Sequence, residues 1–193
     1  MESILKSIKK KKIPINPAVV ISNKANAKGL KIAKKLGINT EIIESKNFKG
    51  SRVQYDKTVI AALTKHGVTP RNGLVCLAGF MRIISPQFVK KYKNRIINIH
   101  PALLPAFPGA LAYAQAYERG TKIVGVTAHY VTENLDQGPI IFQDSFKVDP
   151  NDSLEKIKAK GQKLEADTLL KAMKMHLENK LEVRWRKVHI KSK

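Results

Sequence analysis

Short β-branched apolar runs alternate along the chain with stretches whose apolar residues recur every three or four positions. That alternation predicts strand–helix–strand crossovers, and so an α/β fold with a three-layer, mainly parallel sheet flanked by helices. Ser3 to Lys10 reads as a helix, Ala18 to Ser22 as a strand, and Ala27 to Leu36 as a helix stopped by Gly37. Thr40 to Ile43 is a further strand. Ser51 and Gln54 form a capping box that opens a helix running to His66, with Gly67 as its stop. Leu74 to Leu77 is uninterruptedly apolar and predicts a fully buried central strand. Ser85-Pro86 starts a short helix, since proline fits the first turn, and Arg95 to Ile99 is the next strand, ending at His100.

The segment Pro101 to Gly109 carries three prolines and a glycine, so a stiff, ordered, pocket-lining loop is expected there. Ile123 to Val131 and Pro139 to Val148 read as paired strands across a turn containing Asp136-Gln137-Gly138. Asp152 and Glu155 are expected to cap a long helix whose packed face carries Leu154, Ile157, Leu164, Leu169 and Met173. The tail Leu181 to Ile190 alternates like a single edge strand. The sequence contains no internal repeat or low-complexity linker.

Composition narrows this picture. A chain of 193 residues with 43% hydrophobic content closes one sizeable core, so a single domain over 1–193 is expected. The longest apolar runs are strand-length, which excludes a membrane span as a prediction, and the basic start Lys9 to Lys12 lacks the apolar core of a secretory signal. A cytoplasmic location follows. Cys76 is the sole cysteine and sits in an apolar run, which excludes an intrachain disulfide and predicts a buried, inert thiol. The formal charge of +21 would draw in anions of any kind. The cations are mostly dispersed lysines, however, and only Arg184-Trp185-Arg186-Lys187 interleaves an aromatic with charge. A solvated basic surface is the preferred reading, and nucleic acid is not expected as a partner.

The candidate chemistry lies at a strand end. Asn98 and His100 are two apart, so their side chains project to one face at the rim of the sheet, where ligands of α/β folds bind. An amide and an imidazole converging there can donate two hydrogen bonds to one developing oxyanion. Asp136 is the nearest conspicuous carboxylate in a loop able to fold back, and a carboxylate beside an imidazole favours its charged form. Each residue also has a plainer reading: a strand-end histidine or asparagine capping a loop, and an aspartate shaping a turn. Spacing alone leaves both open.

These residues sit in a longer ordered string: Asn98-Ile99-His100-Pro101-Ala102-Leu103-Leu104-Pro105, then Gly125-Val126-Thr127-Ala128-His129, then Leu135-Asp136-Gln137-Gly138-Pro139. Together with Ser22-Asn23-Lys24 and Leu77-Ala78-Gly79-Phe80-Met81-Arg82-Ile83, the string closely resembles the folate-dependent formyltransferases, over most of the chain. The resemblance is strongest to the purine-biosynthetic branch. It implies transfer of a formyl group from the co-substrate 10-formyltetrahydrofolate to the amine of glycinamide ribonucleotide, with Asn98, His100 and Asp136 as the catalytic set and His129 in support. It further implies that Arg52, Met81, Arg82, Ile83 and Ile84, together with Asn98 and the loop Thr132, Glu133, Asn134, Leu135 and Asp136, hold the folate. Gln162 and Glu165 would contact the ribonucleotide. Met81, Ile83, Ile84 and Leu135 could supply an apolar slot for a flat heterocycle; without the flanking motifs they would read as ordinary core residues. No metal is implied, and no cluster of cysteine or histidine at ligand spacing is present. A monomer or homodimer without membrane partners is expected. His66, His176 and His189 are assigned to surface or capping roles.

Two departures stand out. The family pattern begins with a strand and a Gly-Ser-Asn type phosphate loop, whereas this chain begins with what reads as the following helix, so the first strand is expected to be lacking. After Pro108-Gly109, where histidines are common in the family, the chain has Ala110-Leu111-Ala112-Tyr113. The rival readings are a methionyl-tRNA formyltransferase-like enzyme, which the basic charge would suit, a formyltetrahydrofolate deformylase, and a non-catalytic relative that binds nucleic acid.

Overall fold

The computed structural model describes residues 2–9 and 15–191; Lys10, the predicted end of the first helix, and its neighbours Lys11 and Lys12 lie outside the described residues. Contacts divide the chain into two compact units, one of residues 1–75 and 82–95, the other of residues 76–81 and 96–193.

The first unit opens with helix α1 (Glu2–Lys9), which buries Ile4, Leu5 and Ile8 along one stripe. Strand β1 (Val19–Ser22) pairs in parallel with β2 (Asn39–Ile42) through helix α2 (Lys28–Lys35), the predicted crossover unit. Helix α3 (Arg52–Lys65) begins where expected, because the Ser51 side chain accepts the Gln54 N–H at 3.3 Å. Helix α4 (Pro86–Lys91) has Ser85 as its N-cap, and the backbone N–H of Ser85 is itself held by the buried Asp56 carboxylate at 2.6 Å.

In the second unit, strands β3 (Val75–Leu77, whose first residue belongs to the first unit), β4 (Ile96–His100), β5 (Ile123–Tyr130), β6 (Ile140–Lys147), β7 (Leu181–Arg184) and β8 (Lys187–Ile190) form one sheet in the order β3-β4-β5-β6-β8-β7. Helix α5 (Ala112–Glu118) follows the proline-rich loop, and α6 (Leu154–Leu177) packs across β4, β5 and β6. All of β5 after Ile123 is buried, and α6 presses Ile157, Leu169, Ala172 and Met173 into the core. Burying these side chains contributes about 1.5–3 kcal/mol each for the larger ones, so β5 is anchored along nearly its whole length.

The α/β class holds, and the sheet is mixed. β1 and β2 run parallel, whereas β4–β5, β5–β6 and β7–β8 are antiparallel and β6–β8 is parallel at the single pair Ile140–Lys187. Four further expectations need correction. Leu74 to Leu77 is half-buried and lies at the end of the strand order, because an apolar run reads alike for an edge and a centre. Cys76 is correspondingly only partly covered, although desolvation still pushes its thiol up to about 12. The tail is a hairpin, with Trp185 at φ 54 making the turn, a conformation its residue type does not advertise. The N-cap of α6 is Ser153, which accepts the Lys156 N–H; Asp152, one residue earlier, instead pairs with Lys156 at 2.7 Å and Lys160 at 2.5 Å. Those two ammonium groups hold the Asp152 carboxyl well below the usual carboxylate range.

Candidate active site

Asn98 on β4 and His129 on β5 are direct cross-strand partners, so the sheet register alone sets them side by side. The Nδ1–H of His129 donates to the Tyr130 carbonyl at 3.0 Å, which leaves Nε2 bare to accept from the Asn98 amide at 3.3 Å. Burial pulls the His129 imidazole below its ordinary value, in keeping with this neutral tautomer. His129 is therefore a fixed acceptor that orients the Asn98 amide.

His100 ends β4 and is 3% exposed. Its Nε2–H donates to the Phe107 carbonyl at 2.8 Å, and its Nδ1 lies 3.4 Å from Asp136 Oδ2. Asp136 Oδ1 stands 3.8 Å from His129 Nε2. The Asp136 carboxylate also accepts the Gly109 N–H at 2.8 Å, so the turn that carries it is tied to the proline-rich loop. Asp136 adopts φ 53, a left-handed conformation tolerated by aspartate, and Gly138 lets the turn close on β5, since a Cβ there would fall on the Tyr130 carbonyl oxygen.

Asn98, His100, His129 and Asp136 are thus brought together in one unit, as the sequence implied. Asn98 and His100 are both engaged by acceptors of the protein. One Asn98 N–H is spent on His129 and the His100 Nε2–H on Phe107. Each donor is already aligned by an acceptor of the protein. An oxygen that developed negative charge would compete for these donors with a neutral carbonyl and a neutral imidazole, and charge-assisted bonds are roughly twice as strong.

Glu165, on α6, is half-buried and accepts the Tyr113 hydroxyl at 2.7 Å. Burial raises its carboxyl above the ordinary value, with the Tyr113 bond opposing that shift. Gly161 makes the pair possible, because any Cβ there would overlap the Tyr113 ring. Gln162, three residues before Glu165, is exposed.

The residues expected to hold a folate are divided between the two units. Met81 and Thr132 to Asp136 belong to the second, where Met81 is 80% and Leu135 54% exposed and the Thr132 hydroxyl donates to the Asn134 carbonyl. Arg52, Arg82, Ile83 and Ile84 belong to the first; Arg82 stacks over Tyr55 at 4.9 Å, Ile83 is exposed, and Ile84 is core. The Ile84 side chain is buried. His176 is corrected: its Nδ1 meets the Tyr130 hydroxyl at 2.7 Å, bracing the strand that carries His129.

Sequence reasoning missed the Phe107 carbonyl, the Gly109 N–H and Tyr113. The first two are backbone groups with no residue signature, although the Pro108-Gly109 pair marks their bend. Tyr113 is legible only as a departure from the family pattern.

A model described as formyl transferase matches residues 1–173, and the chain belongs to that family. It is 43% identical over 155 residues to the trifunctional purine biosynthetic protein adenosine-3 of Gallus gallus, covering 80% of this chain and 15% of that protein. To the formyltetrahydrofolate deformylase of Bacillus subtilis it is 42% identical over 166 residues, covering 86% of this chain and 53% of the relative. The chain thus spans about half or less of the length of these two relatives. The crystal structure of glycinamide ribonucleotide transformylase 1 from Symbiobacterium toebii superposes with a TM-score of 0.93 at 37% identity, covering 99% of this chain and 88% of that one. Among the described residues, no helix is long and apolar enough to cross a membrane.

Proposed function

We propose that the protein transfers a formyl group from 10-formyltetrahydrofolate to the amine of glycinamide ribonucleotide, a step of purine biosynthesis. The observation that carries this reading is the buried assembly in which Asp136 faces the imidazole of His100 while His129 orients the amide of Asn98.

In this reading the amine nitrogen attacks the formyl carbon, and the former carbonyl oxygen gains charge. His100 turns its Nε2–H from the Phe107 carbonyl to that oxygen, and Asn98 donates its amide hydrogen to it. Asp136 holds the His100 imidazole in place throughout; the carbonyl re-forms as the bond from the formyl carbon to the folate nitrogen breaks, and the proton leaving the amine passes, through solvent, to that departing nitrogen. Met81 and the loop Thr132 to Asp136 hold the folate, with the exposed side chains of Met81 and Leu135 supplying apolar area. Glu165 and Gln162 contact the ribonucleotide, Glu165 exchanging the Tyr113 hydroxyl for a hydroxyl of the sugar.

The resemblance to a deformylase favours one alternative, in which water is the acceptor. Incubation with 10-formyltetrahydrofolate, with and without glycinamide ribonucleotide, separates the two by release of tetrahydrofolate. Release that requires the ribonucleotide is expected. Release at the same rate without it would assign hydrolysis instead.

A further inference from the structure

Beside the Asp136 turn, within the second unit, lies a cavity of about 660 Å³, a volume in the range of small-molecule sites. Its apolar wall comes from Leu104, Pro105 and Pro108 of the proline-rich loop, Ile140 of β6 and Val188 of β8. Leu135 to Gly138 of the Asp136 turn line a further side, so the cavity adjoins the reaction site, and Arg186, Lys187 and His189 of the hairpin line the rest. Asp136 is the sole acid of the lining, and its carboxylate is only 7% exposed and engaged by the Gly109 N–H. Glu182, the acid paired across the hairpin from His189, is occupied by Arg184 at 2.9 Å. The field inside the cavity is therefore positive.

Two features of the hairpin set this site apart from a random basic surface. It joins β6 through the single pair Ile140–Lys187, and both residues of that pair line the cavity. Trp185, at the hairpin tip beside Arg186, holds φ 54 with 86% of its surface exposed. A bulky aromatic residue in a left-handed turn is a costly choice, and such outliers cluster at ligand clamps.

We propose that this cavity is a second binding site, which takes an amphipathic anion: a flat apolar body against the proline-rich loop and Val188, with a sulfonate, carboxylate or phosphate on Arg186 and Lys187. It is independent of which formyl acceptor the enzyme uses, because the test reads binding alone. Trp185 is the chain's sole tryptophan, so its indole N–H is a single, local NMR signal. Titrating the full chain with naphthalene-2-sulfonate should shift that signal saturably, and the neutral 2-naphthalenemethanol should bind at least tenfold more weakly. Arg186→Glu with Lys187→Glu, and separately Val188→Phe, should each weaken the sulfonate at least tenfold, with an unchanged thermal melt. Lys34→Glu with Lys35→Glu, exposed lysines of α2, should leave its affinity unchanged. Any of three results overturns the site: the absence of a saturable shift, equal binding of the neutral analogue, or equal weakening by the α2 variant.

Discussion

The second unit contains two buried polar assemblies built on opposite plans. Around Asp136, four side chains from two strands and a turn are held largely by backbone groups, namely the carbonyls of Phe107 and Tyr130 and the N–H of Gly109. The Tyr113–Glu165 pair is one side-chain bond between helices, admitted by the missing side chain of Gly161. Backbone partners fix orientation at little cost in side-chain entropy, so the first plan suits groups that must act on a reacting atom. The second plan leaves a carboxylate whose hydrogen-bond partner, among the described residues, is one side-chain hydroxyl, which suits a group that trades a protein hydroxyl for one on a ligand. The difference is between an arrangement fixed by backbone partners and a pair that a side-chain movement can open.

The comparison can be broken most severely at Asp136. Asp136→Asn should lower the turnover of formyl transfer by about 10²–10³-fold, the scale for losing an oxyanion donor, because His100 loses the carboxylate that aligns it, with little change in the melting temperature. Turnover within a few fold of the parent would remove Asp136 from the chemistry. Gly161→Ala comes next: the added methyl collides with the Tyr113 ring and should cost about 1–3 kcal/mol in urea unfolding, with recovery when Tyr113→Leu is added. Without that recovery, the glycine would serve some other need.

Tyr113→Phe should cost about 1 kcal/mol, the net worth of one intramolecular hydrogen bond. It also sharpens the comparison through pH. The folded Glu165 carboxyl is raised by burial, so above the unfolded value near 4.5 the unfolded chain releases its proton first and stability falls as pH rises through that window. Loss of the Tyr113 bond, which lowers this carboxyl, should steepen that fall; unfolding measured from pH 4 to 7 with an unaltered slope would contradict it. The smallest effect belongs to His129. Its imidazole is depressed by burial, so below about 6.5 the unfolded chain binds the proton first and stability is lost as pH falls. His129→Gln should flatten that limb of the stability profile, and an unchanged limb would argue that His129 is charged in the folded state.

Much of the architecture was legible because it rests on local rules. Ser51 and Ser85 announced the starts of α3 and α4, and the patterns of 123–131 and 139–148 announced the β5–β6 pair around its turn. Other features defeated local rules for physical reasons. Both arms of the β7–β8 hairpin alternate with the same period, and Trp185-Arg186 is no turn signature, so the tail read as one strand. The apolar run at Leu74 carries no mark of its place in the strand order. Asp152 outranked Ser153 as a predicted cap because propensity does not register that Lys156 and Lys160 would claim its carboxylate.

By itself the sequence determined the α/β class, the strand end that carries Asn98 and His100, and the candidacy of Asp136, because periodicity and turn chemistry act over a few residues. Only the tertiary structure decided which partner each donor has. His129 meets Asn98 through the register of β4 with β5, Asp136 meets His100 from 36 positions away through the closure of one turn, and Tyr113 meets Glu165 across 52 positions. Such meetings depend on how strands and helices pack, and a single hydrogen bond between residues far apart in the chain leaves no period in the sequence to read.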